Sequence, residues 1–277
     1  MMKARFKLGV FVAALALAGC SQPVLDIDEP SEGQRISAEE ALNSTVVAPA
    51  RDIHKSEMVS AVERILPSIR AASLEVCSEL SLPAQRCEQV RIAEVSISPN
   101  IDDPNAFADA QDNVQMTGGI VRISGSDDEV AAVLAHEFAH VMYGHVESKM
   151  SNALVGLAIA GGIALAVGSD GSVHDQQRSE DILRLGYGIG SQAYSPEMEI
   201  EADRTAIYIL RKAGYQTTAM RDSIIRLSRI DLAHKHGSNS QRVGFLQTHP
   251  SSDRRIAHII SAIDDAEAGV PLIVADR

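Results

Sequence analysis

Residues 135–141 read Ala135-His136-Glu137-Phe138-Ala139-His140-Val141, inside a long apolar segment whose periodicity predicts a helix. On an α-helix, His136 and His140 are four residues apart, so both imidazoles leave the same face one turn apart. A zinc ion can bridge them with bonds of about 2.0–2.1 Å. Glu137 lies about 100° further round the helix, where it can act on a water beside the metal without binding the metal itself. The motif predicts two metal ligands and a general base, although two histidines and a glutamate on an ordinary helix face give the same letters.

The helix that carries this motif has a clear predicted start. Ser126 is a good N-cap, and the three acids at 127–129 suit the positive end of the helix dipole. Both sides of the projected helix are mainly apolar. We therefore expect a buried helix, which is the rigid support that a metal site needs.

A second predicted helix begins at Ser195-Pro196 and ends near Gly214. Its projection places Glu199 and Asp203 one turn apart on the stripe that faces the core. Burying two unpaired carboxylates costs free energy, and metal ligation or a hydrogen bond from a metal-bound histidine removes that cost. The helix phase selects Glu199 as the third ligand. This gives a gluzincin-type site of two histidines and one glutamate, with the fourth position open.

Helix phase also excludes two other titratable residues as metal ligands. Glu201 has the outward phase, and we expect it to be solvated. His145 projects well away from both ligand histidines, so we expect it to be structural. A site of the metzincin type would need Gly at 143 and His at 146, where this chain has Tyr143 and Val146.

These motifs resemble the HtpX-like and CAAX-prenyl-protease-like zinc metallopeptidases over about residues 55–265. The matching segments are HEFAH at 136–140, EIEAD at 199–203, NAFA at 105–108, DEVAAVL at 128–134, and Thr248-His249-Pro250 followed by Arg255-Ile256. Within that family, the chain is similar in type to the periplasmic BepA-like and LoiP-like lipoprotein proteases. The resemblance implies that Glu199 is a ligand and that Asp203 is the acid behind a ligand. One departure is Pro196, where the family usually has Arg.

His249 is a further candidate site residue. It precedes a predicted helix that starts near Pro250, where a histidine can be ordinary surface. The resemblance implies a catalytic role near the metal, where His249 either stabilises the tetrahedral intermediate or occupies the open coordination position. Arg255 is a weaker candidate.

The N-terminal segment predicts export. Basic residues at 3, 5 and 7 precede an apolar run at 8–18, and Leu17-Ala18-Gly19-Cys20 resembles a bacterial lipobox. We expect residues 1–19 to be a lipoprotein signal peptide and Cys20 to be lipidated. A plain signal peptide or a short membrane anchor are the alternatives. Ser21, rather than Asp, favours the outer membrane over the inner membrane.

The rest of the chain divides into a tether and one domain. Residues 20–50 are polar and predict a flexible lipid tether, and residues 51–277 form the predicted metallopeptidase domain. Its fold class is α+β and mainly helical, with a small sheet or edge hairpin. Pro67 is expected to divide the first helical pattern. Strands are predicted at 90–98 and at 114–124, the second as an edge strand or hairpin beside the metal.

Two further features depend on the predicted export. Cys77 and Cys87 are the remaining cysteines and are a candidate disulfide in an oxidising compartment, with free buried thiols as the alternative. Residues 153–167 are uncharged and rich in Gly and Ala. They predict a buried helix or helical hairpin, or alternatively a mobile or membrane-touching flap.

The charge of the chain excludes one class of partner. The formal net charge is −12 and the sequence pI is about 5.2, so the chain lacks the basic patch that binds nucleic acid. We expect a zinc endopeptidase of the Gram-negative periplasm that binds one Zn²⁺ per chain and degrades misfolded envelope proteins. The alternatives are a chaperone or assembly factor for outer-membrane proteins with a rarely active metal site, and a lipoprotein with a chance HExxH sequence.

Overall fold

The computed structural model of the chain describes residues 23–46, 49–151, 193–236 and 244–275. These residues are mainly helical with one small sheet, which confirms the predicted fold class. The helices are α1 (Glu32–Ser44), α2 (Lys55–Glu79), α3 (Ala84–Ile92), α4 (Gly118–Ile123), α5 (Asp127–Tyr143), α6 (Pro196–Ala213), α7 (Ala219–His236), α8 (Gly244–Thr248) and α9 (Asp253–Ala268), and the strands are β1 (Val95–Ser98), β2 (Ala106–Ala108) and β3 (Val114–Thr117). The predicted signal peptide, the candidate lipidation site at Cys20 and the Gly/Ala-rich segment at 153–167 lie outside the described residues.

Helix α5 is the centre of the domain. The Ser126 side chain accepts a hydrogen bond from the Glu129 N–H, which begins the helix as predicted. Every residue from 129 to 143 is buried, and the helix packs against α2, α3, α6 and α7. It ends at Gly144, whose φ of +67° is a left-handed conformation that favours glycine. The metal motif therefore lies on a buried helix fixed at both ends.

The three strands form a sheet in the order β1-β3-β2, with β1 parallel and β2 antiparallel to β3. Both strand predictions were correct only in part. In the segment predicted at 90–98, residues 90–92 belong to α3 and residues 95–98 form β1. In the segment predicted at 114–124, residues 114–117 form β3 and the chain becomes helical at Gly118. Thr117 caps that helix, and a Cβ on Gly119 would lie 2.2 Å from the carbonyl oxygen of Asp102. The predicted edge strand is thus the central strand, and β2 is the edge that lies against α5.

Helix α2 runs through Pro67 without a break, so the prediction that this residue divides the helix was wrong. The buried side chains on either side of Pro67, such as Ile65 and Ile69, lie on the face that packs against α5 and α6. Proline removes one backbone donor and costs about 3 kcal/mol in a helix interior. Packing along the whole helix offsets that local cost.

The segment predicted as a flexible tether is packed where the structure describes it. Ser31 begins α1 with a capping box, and this helix packs against α9. Upstream, Leu25 is buried and forms an antiparallel bridge with Val274. The tether prediction was therefore wrong for most of residues 23–46. Apolar periodicity is weak there because α1 buries only Ala38.

A disulfide joins Cys77 on α2 to Cys87 on α3, with the two Cα atoms 5.7 Å apart. The disulfide closes a short loop between two helices that both pack on α5. It therefore restrains the part of the domain that supports α5, the helix with the HExxH sequence.

Among the helices that the described ranges contain, none is long and apolar enough to cross a membrane.

Replacing Cys77 and Cys87 together by Ala is expected to lower the free energy of unfolding by about 2–3 kcal/mol, because the unfolded chain then loses a loop constraint. Urea denaturation of the oxidised protein and the double variant measures this difference. Reductant should lower the stability of the wild type to the level of the variant and leave the variant unchanged. Equal stability of the oxidised wild type and the variant would contradict the expectation.

Candidate metal centre

Four buried side chains from three parts of the chain converge beside α5. His136 and His140 come from α5, Glu199 from α6, and His249 from the loop after α8. One donor atom of each lies within 4.8 Å of every other, and each of the four side chains is at most 1% exposed. The structure thus brings together the three predicted ligands and His249, the candidate whose position the sequence left open.

The distances between the donor atoms fit a tetrahedral metal ion. His136 Nε2 lies 2.9 Å from His140 Nε2 and 3.2 Å from His249 Nδ1. Glu199 Oε1 lies 2.9 Å from His249 Nδ1 and 3.4 Å from His140 Nε2. Donors arranged tetrahedrally about 2.0–2.1 Å from a zinc ion are separated by roughly 3.3 Å. Four donors of the nitrogen and oxygen type at this spacing can hold one such ion.

The protonation of two of the donors, His140 and Glu199, suits metal binding. Burial lowers the pKa of His140 well below its usual value, so the imidazole is neutral and its ring nitrogen is free to bind a metal. Burial alone raises the pKa of Glu199, but the charge of Arg255, acting together with the charge and hydrogen bond of His249 and the hydrogen bond of His140, outweighs burial and holds the pKa well below its usual range. Glu199 is therefore ionised while fully enclosed by protein.

Arg255 is the main cation of the site, although the sequence marked it only as a weak candidate. Its Nη1 lies 2.5 Å from Glu199 Oε2, and its Nε and Nη2 lie 2.5 and 2.8 Å from the two Asp203 oxygens. The same Nη1 donates to the carbonyl oxygens of His249 and Pro250 at 3.2 Å. Arg255 thus compensates two buried carboxylates and fixes the loop that carries His249.

Asp203 lies behind His136, as predicted. Its Oδ1 is 2.9 Å from His136 Nδ1, so His136 can donate there while its Nε2 faces the other donors. A carboxylate that accepts from the outer nitrogen of a ligand histidine fixes the tautomer and orientation of the ring. The two contacts of Asp203, to Arg255 and to His136, explain why its side chain is buried.

Glu137 is fully buried beside the four donors but is not one of them. Neither of its carboxylate oxygens has a hydrogen-bond partner among the described residues, and Oε1 lies 3.5 Å from His249 Nε2. Burial raises the pKa of Glu137. A carboxyl group with a raised pKa and unused acceptor atoms is suited to take up a proton.

Sequence reasoning missed Tyr194, which forms one wall of the site. Its ring stacks on His140, with the ring centroids 3.9 Å apart and the planes 18° apart. Its backbone N–H donates to the carbonyl oxygen of Thr248, which precedes His249. The only signal in the sequence is an aromatic residue directly before the Ser195 N-cap, and that position carries no periodic pattern.

Glu201 is buried and not solvated, so the prediction from helix phase was wrong. Its Oε1 accepts hydrogen bonds from the backbone N–H groups of Val24 and Leu25 at 2.5 and 2.7 Å. Its Oε2 lies 3.0 Å from His145 Nε2, and His145 Nδ1 lies 2.8 Å from His140 Nδ1. At Glu201, the face of α6 that the projection assigned to solvent is covered by Val24 and Leu25 of the N-terminal segment.

Comparison with known proteins supports a metallopeptidase domain. The sequence model of peptidase family M48 matches residues 67–263, which is more than half of the chain. The metalloprotease LoiP of Escherichia coli (strain K12) is 30% identical over 157 residues, covering 57% of this chain and 58% of LoiP. The mitochondrial metalloendopeptidase OMA1 of Schizosaccharomyces pombe is 28% identical over 227 residues, covering 79% and 61% of the two chains. The beta-barrel assembly-enhancing protease of Escherichia coli O157:H7 is 31% identical over 166 residues, covering 57% and 32%.

The chain spans less than two thirds of the length of each of these three relatives. The family match includes α5, α6 and the loop that carries His249. It therefore covers all four donors and Glu137. These matches confirm the metallopeptidase resemblance that the motifs predicted.

Replacing Arg255 with Leu is expected to lower the free energy of unfolding of the metal-free protein by about 3–5 kcal/mol, because two buried carboxylates then lose their cation. The matched control is Arg254→Ala, since Arg254 makes exposed ion pairs with Glu29 and Glu197. Such pairs contribute about 0–1 kcal/mol. Chemical denaturation of both variants measures the difference, and similar losses would contradict the central role of Arg255.

Proposed function

This chain belongs to peptidase family M48, and on that premise we propose that it is a zinc-dependent endopeptidase of the bacterial periplasm. The observation that carries the proposal is the convergence of His136, His140 and Glu199 with an unpaired Glu137. These are the two histidines, the glutamate and the general base of a gluzincin. Metal ligation and base catalysis require this arrangement, whereas a helix that is merely buried does not.

Zinc suits the donor set, because it binds imidazole nitrogen and carboxylate oxygen in tetrahedral sites. The four donors would hold one ion per chain. When bound, the ion supplies Lewis acidity that lowers the pKa of a water molecule and polarises the carbonyl group of a peptide bond. Asp203 keeps the proton of His136 on Nδ1, which leaves Nε2 free. Arg255 holds Glu199 in place through Oε2 and leaves Oε1 turned to the other donors.

Glu137 moves the proton of the reaction. Its free carboxylate oxygens accept a proton from water as the water attacks the scissile carbonyl carbon. The same carboxyl group then delivers that proton to the departing amine nitrogen. Burial, which raises the pKa of Glu137, brings it closer to the range in which a group both accepts and releases a proton near neutral pH.

The substrate backbone binds along β2. Within the described ranges, β2 has a strand partner on one side only, which is β3, and it lies against the metal helix α5. Ala106 and Ala108 are buried towards that helix, whereas Phe107 is 37% exposed. An extended polypeptide can add to the free edge through backbone hydrogen bonds, which suits unfolded substrates of varied sequence.

His249 closes the site in this form. Its Nδ1 occupies the fourth corner of the donor set, so a water molecule and a peptide carbonyl have no free position there. Catalysis then requires the loop that carries His249 to move away. Between the two roles that the sequence left open for His249, the donor distances favour occupation of the coordination position.

The cellular location follows from the sequence of the N-terminus. The lipobox-type segment ending at Cys20 supports export and a lipid anchor, with the outer membrane favoured by Ser21. The compartment supports misfolded or misassembled envelope proteins as the substrates. One relative is named a beta-barrel assembly-enhancing protease, which supports outer-membrane proteins among them. We propose residues 1–19 as the signal peptide, and since α1 packs on α9 the folded domain begins upstream of the predicted boundary at residue 51.

A second candidate function is a chaperone or assembly factor for outer-membrane proteins in which the metal site seldom cleaves. The closed fourth position and the complete burial of Glu137 favour it. Complementation of a deletion strain by Glu137→Gln would support this function, because a chaperone has no need of the base. Loss of complementation would support the peptidase.

Glu137→Gln is expected to lower the rate of casein cleavage by about 10²–10⁴-fold, because an amide cannot take up the proton. Zinc content should stay at one ion per chain, since Glu137 is not a donor. Glu147→Gln, a change at a largely exposed glutamate just beyond the same helix, is the control and should retain activity. Equal cleavage by the wild type and Glu137→Gln would refute the mechanism.

His249→Ala is expected to weaken zinc binding and to raise casein cleavage measured at saturating zinc. If the closed form is favoured about tenfold over the open form, opening the fourth position raises the rate of casein cleavage by about tenfold. His258→Ala is the control, because His258 is a buried histidine of α9 outside the donor set. A fall in activity at saturating zinc would show instead that His249 takes part in the reaction.

A further inference from the structure

His145 and Glu201 form a second buried network behind the metal site, and no step of the proposed reaction uses it. We infer that they are positioning residues, which hold His140 in the tautomer and ring orientation that metal binding requires. The inference rests on the proposed metal site. It concerns the residues behind one ligand and does not depend on which peptide is cleaved.

The directions of the hydrogen bonds in this network are set by Glu201, which accepts from two backbone N–H groups. An ionised carboxylate only accepts hydrogen bonds, so Glu201 Oε1 accepts from the backbone N–H groups of Val24 and Leu25. Oε2 must then accept from His145 Nε2, 3.0 Å away. In the tautomer of His145 that has one ring proton, that proton lies on Nε2 and a lone pair is left on Nδ1.

That lone pair determines the state of the metal ligand. His145 Nδ1 lies 2.8 Å from His140 Nδ1 and can only accept there, so His140 must carry its proton on Nδ1. The lone pair of His140 is then on Nε2, the atom that lies 2.9 Å from His136 Nε2 and 3.4 Å from Glu199 Oε1. The hydrogen bond between Glu201 and His145 thus sets the donor and acceptor of the hydrogen bond between His145 and His140.

Burial excludes water as an alternative hydrogen-bond partner in this network. His145 is 3% exposed and Glu201 is 1% exposed, so water does not offer alternative partners. The two ligand histidines of α5 are oriented by two acids of α6 that are two residues apart. Asp203 contacts His136 directly, and Glu201 reaches His140 through His145. Outer hydrogen bonds of this kind change metal affinity by about 10–100-fold when they are lost.

Glu201→Gln tests the inference with almost no change in shape. If the amide NH₂ faces His145, it donates to Nε2 and forces the wrong tautomer, and if the carbonyl faces His145, the NH₂ faces two backbone N–H donors. The zinc dissociation constant, measured by competition with a chelator, is expected to rise about 10–100-fold. Glu129→Gln is the matched control. Glu129 is a buried glutamate on α5 paired with Arg226, and its change should lower stability but alter the zinc dissociation constant by less than about twofold.

Two substitutions of His145 separate positioning from filling of space. In His145→Gln the side-chain oxygen can accept from His140 and the NH₂ can donate to Glu201, so zinc affinity should stay within about threefold of the wild type. His145→Phe fills the space without hydrogen bonds, and its zinc dissociation constant should rise about 10–100-fold. Urea denaturation of each metal-free variant shows how much stability is lost. This pair of variants tests the inference even where Glu201→Gln fails to fold.

The inference and the proposed function fail in different ways. Wild-type protein that does not bind zinc would refute the proposed metal site, and the inference with it. Wild-type protein that binds zinc but does not cleave casein would refute the peptidase alone and leave the inference standing. If Glu201→Gln and His145→Phe bind zinc as tightly as the wild type, or if His145→Gln binds as weakly as His145→Phe, the positioning role is overturned.

Discussion

The fold depends on the compensation of three carboxylates that α6 carries into the interior. Glu199, Glu201 and Asp203 are each 1% exposed, and an uncompensated buried charge costs several kcal/mol. Each carboxylate is compensated differently. Arg255 contacts Glu199 and Asp203, whereas Glu201 accepts two backbone N–H groups and faces His145. The helix can therefore pack against α5 only when the C-terminal and the N-terminal segments are both in place.

This requirement explains the C-terminal element that the sequence showed only as a resemblance. Arg255 lies in the first turn of α9, where the Ser252 cap accepts from its backbone N–H, and its guanidinium donates to the carbonyl oxygens of His249 and Pro250. The residue that compensates the metal-site acids thus also sets the position of the fourth donor. Movement of the His249 loop would break hydrogen bonds to Arg255, so opening of the site and the support of Glu199 are coupled.

The sequence predicted the parts of the site that follow from one helix at a time. The phase of α5 paired His136 with His140, and the phase of α6 placed Glu199 and Asp203 inwards, because each conclusion needs only the geometry of 3.6 residues per turn. Glu201 was misplaced since a helical projection assumes one buried face, and α6 is covered on a second face by Val24 and Leu25. The bounds of two short strands, β1 and β3, were misjudged for a related reason: an alternation of two or three apolar residues occurs equally in a helix such as α3.

Glu137 shows why the rest of the site has this form. A fully buried carboxylate without a hydrogen-bond partner is unfavourable, and the surrounding fold must offset that cost. Every other acid of the site is matched to a donor, so the unmatched one is the group whose partner arrives from outside the chain. In the proposed mechanism, water and the peptide substrate supply those hydrogen-bonding groups. This difference agrees with the proposed mechanism, in which the acids on α6 position the donors and Glu137 takes up the proton.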